Sequence, residues 1–279
     1  MKKILAFLVV FLGLWACKDA PEPVLTDVPL RLLESDSLAL FYIAEAYETE
    51  SEDYPVRWSA ADTSTWKDIR LDTIEVAETG ERYLCVGAIT LYVPRKTVTG
   101  KAIRRLSHLK ELTILACAGT VFDEGCIPIG TESFVLDRLY PDNPEYISAG
   151  EATDKIELPE WYNVFKKKFV IHGLDAERII FAADIDAEVD LSGNCLSGKV
   201  PYEYMKYKNL NLSHNKFTGL QNGWDTWIDA EENAYISNNV PNLQYNSIEI
   251  PEEVLGTDFW RRHSHKFIGN PGYKAPEEL

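Results

Sequence analysis

Two stretches of the chain carry the same pattern in the same register. The first runs Val189-Asp190-Leu191-Ser192-Gly193-Asn194-Cys195-Leu196-Ser197-Gly198, and the second Leu210-Asn211-Leu212-Ser213-His214-Asn215-Lys216-Phe217-Thr218-Gly219. Leu191 and Leu212 hold matching positions, one short repeat apart. The alternation of apolar and polar residues around each Leu predicts a short strand with one buried face. A unit of this length cannot bury that face alone, so it must stack on further copies of itself. Asn194 and Asn215 are expected to turn inward, where their amides satisfy the bare backbone of the turns. Gly198 and Gly219 relax the turn that follows.

Weaker copies appear at similar intervals. Ile89-Thr90-Leu91-Tyr92 predicts an earlier strand, and Leu109 to Cys117 follows the form LxxLxLxxC, with Cys117 at the Asn position. The steps from Leu91 to Ile114, Ile114 to Leu136 and Ile171 to Leu191 each match the length of one repeat. The step from Leu136 to Ile171 is longer by about half, which predicts an insertion near 138–165 carrying Tyr140, Tyr146, Trp161 and Tyr162. Ala234-Tyr235-Ile236, with Asn239 shortly after, predicts one more coil following that of Leu212. Units of roughly 20–24 residues leave little room for a full helix on the convex side.

The repeats resemble leucine-rich repeats, and most closely the extracellular plant-type class written LxLSxNxLSGxIP. That resemblance implies a leucine-rich repeat solenoid, α/β to mostly β: a right-handed arc with a parallel concave sheet and about seven irregular repeats. Asp36-Ser37-Leu38-Ala39-Leu40, then Trp58 and Ser64-Thr65-Trp66, then Gly80-Glu81-Arg82 resemble the cap of exported repeat proteins. Lys67-Asp68 and Glu81-Arg82-Tyr83 depart from that cap's usual form. A helical N-terminal cap is implied, its helix starting near Asp36, which is placed to cap it. Phe267-Ile268-Gly269-Asn270-Pro271 resembles the closing segment of the plant-type domains.

The first residues read as an address. Lys2 and Lys3 precede an apolar run, Ile4 to Ala16, that is too short to span a membrane and suited to a signal peptide. Leu14-Trp15-Ala16-Cys17 resembles a bacterial lipobox, which implies cleavage before Cys17 and lipidation on it. Lys18-Asp19 and the Pro- and Glu-containing tether after it resemble the export signal of surface lipoproteins of Bacteroides-type bacteria. The expected organisation is a signal peptide at 1–16, lipidated Cys and tether at 17–35, and an N-terminal cap at 36–85. Repeats then fill 86–245, and a C-terminal cap 246–279. A lipid-anchored outer-membrane protein, exposed at the cell surface, is expected.

The acidic balance, 28 basic against 44 acidic side chains, argues against nucleic acid as a partner. No GxSxG, HExxH, phosphate loop or GxGxxG occurs, so no enzyme and no cofactor is expected. His263-Ser264-His265 on a strand would put both rings on one face, but no third ligand is near, so no metal is expected. Cys85, Cys117, Cys126 and Cys195 show no CxxC spacing; their disulfide state stays open. The resemblance and the strand geometry place ligand binding on the outward side chains of the strands. These are Thr90, Tyr92, Thr113, Leu115, His172, Asp190, Ser192, Asn211, Ser213, Tyr235 and Ser237. Cys117, Asn194, Asn215 and Asn239 form the expected structural ladder. A protein ligand is favoured; the alternatives are a glycan-binding or nutrient-capture component of an outer-membrane complex, or a structural envelope partner. Trp224 and Trp227 would serve a glycan by stacking, if they were not in the core.

Overall fold

The computed structural model describes residues 30–48, 66, 68–93, 100–116, 127–137, 164–174, 176–232 and 239–279. The chain divides into a unit Met1–Arg31 and a body Leu32–Leu279, which carries every element below.

Helix α1, Glu34–Glu48, opens the body. Ala39, Leu40 and Ile43 share one side of it and are buried in the core. The helix already includes Glu34 and Ser35, so Asp36 does not cap it. The fully buried carboxylate instead accepts a hydrogen bond from Val86 N–H at 2.7 Å, fastening the helix to a strand. Strand β1, Ile69–Glu75, pairs antiparallel with the long β2, Arg82–Val93. Gly80, at φ 68°, makes the turn between them.

The short helix α2, Gly100–Ile103, follows β2, and from β2 onward the strands pair parallel and in chain order. They are β3 (Glu111–Ala116), β4 (Ser133–Asp137), β6 (Lys168–His172), β8 (Glu188–Asp190) and β10 (Asn209–Asn211). β5 (Val164–Phe165) and β7 (Ala182–Ala183) form a separate short parallel pair. Leu91 pairs with Ile114, Ile114 with Leu136, and Leu136 with Ile171. That is the register expected from the apolar spacing, the long step before Ile171 included. A second parallel pair, β9 (Ser197–Val200) with β11 (Lys216–Leu220), runs beside the 3₁₀ turn Tyr202–Lys206.

The buried rows Ile89–Leu112–Phe134–Phe169–Val189–Leu210 and Leu91–Ile114–Leu136–Ile171 line the inner side of the sheet. An aromatic column continues the packing: Phe134, Phe169 and Phe181 follow one another at 6.1 and 5.1 Å, and Tyr207 lies 5.2 Å beyond Phe181.

After β10 the structure departs from the expected register. Asn211 bridges in parallel to Asn242, so the coil after that of Leu212 holds Leu243, not Ile236. The extra length contains helix α3, Gly223–Glu232, where no full helix was expected. Trp227 is fully buried on it and donates its indole N–H to Gln221 O at 3.0 Å. The chain ends in α4 (Glu252–Leu255), α5 (Asp258–His263) and two 3₁₀ turns. Thr257 caps α5 by accepting from Trp260 N–H.

Candidate functional site

The turns that follow the C-terminal strands are held by asparagine side chains. Asn194 donates to Ile171 O at 2.7 Å and Leu191 O at 2.8 Å, and accepts from Leu174 N–H at 2.7 Å. Asn215 donates to Leu191 O at 2.9 Å and Leu212 O at 3.0 Å, and accepts from Leu196 N–H at 3.1 Å. Two further members complete the series. Asn246 donates to Leu212 O and Leu243 O and accepts from Phe217 N–H. Asn270 donates to Leu243 O and Phe267 O and accepts from Ile248 N–H. Each amide thus links its own coil to the previous one, and all four are buried.

Asn239 is not a member. It is half-buried and donates to Lys206 O at 3.4 Å, because α3 delays the coil and puts Asn246 in its place. The ladder also runs on through Asn270, beyond the expected end of the repeats at 245. The signal was present in sequence: Leu243-Gln-Tyr-Asn246 and Phe267-Ile-Gly-Asn270 repeat the ΦxxN of Leu191–Asn194 and Leu212–Asn215. The lengthened step from Leu212 to Leu243 hid it. In the coil of β6 the same position is Leu174, and Cys117, expected at this position in an earlier coil, lies outside the described residues.

The residue before each ladder Asn has left-handed backbone: Gly193 at 65°, His214 at 54°, Tyr245 at 54° and Gly269 at 80°. The two non-glycines stack ring on ring at 4.5 Å. The Tyr245 ring also covers Gly269, where an added Cβ would meet it at 2.5 Å.

Alternation puts the intervening side chains on the outer side of the sheet. One row runs Thr90–Thr113–Val135–Val170–Asp190–Asn211, and the next Leu115–Asp137–His172. Thr90, Thr113, Leu115, His172, Asp190, Ser192 and Asn211 are half-buried there. Ser213 is not on the surface: it is buried, its N–H bonded to Asn211 Oδ1 and its carbonyl to Gly193 N–H and Asn215. The turn that holds the ladder draws it inward. The Tyr92 side chain, Tyr235, Ser237 and Cys17 lie outside the described residues. So do residues 138–163, the main part of the expected insertion.

The chemistry of this face centres on His172. Its Nδ1 lies 3.7 Å from Asp137 Oδ1 and its Nε2 3.3 Å from Asp190 Oδ1. Nε2 is buried and not aligned for a hydrogen bond, so the Asp190 contact is an ion pair. Burial alone would lower the imidazole pKa; the attraction of the Asp137 and Asp190 carboxylates prevails and raises it to about 9. Burial likewise opposes ionisation of Asp190, but His172 and Ser192 hold it well below the usual carboxylate range. Ser192 N–H bonds Asp190 Oδ1 at 2.9 Å, as Ser213 N–H bonds Asn211 and Gln244 N–H bonds Asn242. Near the start of the strands the charges pair: Arg70 with Glu111, Lys167 with Glu132 and Lys168 with Glu188.

Other sequence candidates fall elsewhere. His263 and His265 lie on helical backbone, where residues two apart diverge, so they do not share a face. No group of three metal-ligating side chains occurs among the described residues. Cys85 and Cys195 are buried free thiols; burial pushes the Cys85 thiol up. Trp224 donates to Glu249 O at 3.2 Å and packs against Phe267 at 5.2 Å, which ties it to the core.

No family model matches the chain, and no curated protein matches it. Among solved structures it is similar to the leucine-rich-repeat ectodomain of the receptor kinase SOBIR1 from Arabidopsis thaliana. The two are 17% identical, over 86% of this chain and 95% of that one, with a TM-score of 0.27. The parallel coil register and the inward asparagine ladder make the body a parallel-sheet solenoid of leucine-rich-repeat-like coils.

Proposed function

We propose that the chain is a lipid-anchored outer-membrane protein that binds a macromolecule, a polypeptide in the first instance, through the outer side of its parallel sheet. The observation that carries the reading is the His172 cluster within ordered rows of half-buried side chains. Rows set by strand register present fixed spacings, and a charged imidazole between two carboxylates holds one orientation without its own flexibility. On the same sheet Thr90, Thr113, Leu115, Ser192 and Asn211 are half-buried small polar and apolar groups of the kind that contact proteins. A glycan-binding reading loses its best residues, because Trp224 and Trp227 are tied to backbone carbonyls, Trp227 buried in the core and Trp224 half-buried against it.

The anchor rests on Leu14-Trp15-Ala16-Cys17 and the basic-apolar stretch before it. Among the described residues no helix is long and apolar enough to cross a membrane. Protease treatment of intact cells tests the placement, with wild type beside Cys17→Ala. Digestion of the wild type before lysis supports surface display; full protection until lysis overturns it. Binding is tested by pull-down from surface-exposed and secreted protein fractions, with Asp190→Ala/Leu115→Glu as the variant. Equal recovery by both proteins would remove the sheet face from the proposal.

A further inference from the structure

The chain enters helix α3 through Asn222 and Gly223, and both have left-handed backbone, at φ 65° and 79°. They are the one Asn-Gly pair in the sequence. An asparagine just before a helix ordinarily has extended backbone, and its side chain turns back to accept from the first N–H groups. Left-handed backbone takes that role from Asn222. Its side-chain amide makes no hydrogen bond among the described residues, while its main-chain carbonyl accepts from the Thr226 hydroxyl at 2.9 Å. Gly223 N–H is also without an acceptor among the described residues, as expected of the first N–H of a helix. Both residues are exposed, and a Cβ added to Gly223 would meet nothing within 4 Å, so water reaches the amide nitrogen.

The backbone on either side is fixed. Gln221 N–H bonds Val200 O at 3.0 Å, and Gln221 O accepts from the indole of the buried Trp227. The ladder asparagines are the opposite case. Asn194, Asn215, Asn246 and Asn270 are buried, and each is bonded through both its amide nitrogen and its amide oxygen. An amide held at both atoms does not turn toward the next backbone nitrogen. The amide of Asn222 is free to do so, and the nitrogen it would meet belongs to a residue with no side chain to shield it.

We propose that Asn222–Gly223 is a site of spontaneous covalent modification, in which water replaces the side-chain amide. Gly223 N gives its proton to hydroxide and attacks Asn222 Cγ. The N–Cγ bond forms, the Cγ–Nδ2 bond breaks, and Nδ2 takes a proton from water and leaves as ammonia. Water then opens the five-membered imide, with no change of oxidation state. Attack at Cγ breaks the N–Cγ bond and leaves an aspartate at this position. Attack at the main-chain carbonyl breaks its bond to nitrogen and leaves the chain running through the side chain. Either product places a new negative charge ahead of α3, where the helix dipole favours it. The second also lengthens the main chain just before Trp224 and Trp227, which tie α3 to the body. The site is separate from the sheet face and does not depend on its role.

The test incubates the purified full chain at mildly alkaline pH in water enriched in heavy oxygen, folded and in urea, and maps the peptides by mass spectrometry. The peptide carrying Asn222 should lose ammonia and gain one heavy oxygen, in the folded chain at a rate within tenfold of that in urea. In the folded chain the peptides carrying the ladder asparagines should convert at least tenfold more slowly. Gly223→Ala, which shields the nitrogen, should slow the reaction at least tenfold. Asn222→Gln keeps the amide but requires a six-membered ring, and should slow it as much; it leaves the glycine in place should the first variant fold poorly. A folded chain that stays unmodified at Asn222, ladder asparagines that convert as fast, or an unchanged rate in the variants would each overturn the proposal.

Discussion

The solenoid is built in two ways along its length. From β2 to β6 the coils share strands of five residues or more, and backbone ladders join them. From β8 onward the strands shrink to three residues and then to a single bridge at Asn242. There backbone bonds still join the coils, as from Leu191 N–H to Asn211 O and Leu212 N–H to Asn242 O, and asparagine amides are added to them, four in succession, each bonded to two coils. A long strand tolerates a variable turn, because its register is secured elsewhere. A three-residue strand does not, so its turn needs a side chain of fixed length and two-sided hydrogen bonding. The strongest sequence repeat therefore lies where the regular strands are shortest.

Several variants would break or sharpen that contrast. Phe169→Ala removes the centre of the aromatic column at the junction and should cost about 3–5 kcal/mol. Urea unfolding should stay a single transition; two separated transitions would mean that the halves fold independently. Asn215→Ala leaves Leu196 N–H without its partner and removes one of two amide donors from each of Leu191 O and Leu212 O, which keep Asn194 and Asn246, at a cost of about 1–3 kcal/mol. Hydrogen exchange should then quicken in β9–β11 and not in β3–β4. Equal loosening of both halves would sink the proposed division.

The His172 cluster joins the two constructions, since Asp137 lies on β4 and Asp190 on β8. The imidazole pKa is raised in the folded state, so its stabilisation is full below about 6.5. It is lost as pH rises through about 9. Asp190 is lowered instead; its contribution holds above its ordinary range and is lost as pH falls below it. The melting temperature of wild type minus that of His172→Asn should therefore shrink between pH 6.5 and 9, by about 1–2 kcal/mol in equivalent stability. A flat difference across that window would show that the carboxylates do not hold the charge. The smallest effect is expected from His214→Gly. Relief of the left-handed backbone, about 1 kcal/mol, offsets the loss of stacking on Tyr245, about 0.5–1.5 kcal/mol. A shift above about 1 kcal/mol in either direction would show that one of the two dominates.

The stacked coils, their parallel order and the pairing of Leu91, Ile114, Leu136 and Ile171 were legible in sequence. Apolar spacing sets which residues can face inward together, and a one-residue slip would turn them all outward. Asn194 and Asn215 were legible for the same reason, because an inward amide belongs to a fixed offset from its Leu. What only the tertiary structure decided depends on contacts distant in sequence. Asp36 leaves the helix end for Val86, 50 residues away. Helix α3 inserts into a coil, which moves the ladder from Asn239 to Asn246. Ser213 turns inward although alternation points it out. His172 acquires its charge from Asp137 on the coil before it and Asp190 on the coil after it, and no local pattern encodes that meeting. Periodicity is a property of short stretches and survives in one dimension. Electrostatic partners and inserted elements are set by which coils become neighbours, and that is fixed only when the whole stack forms.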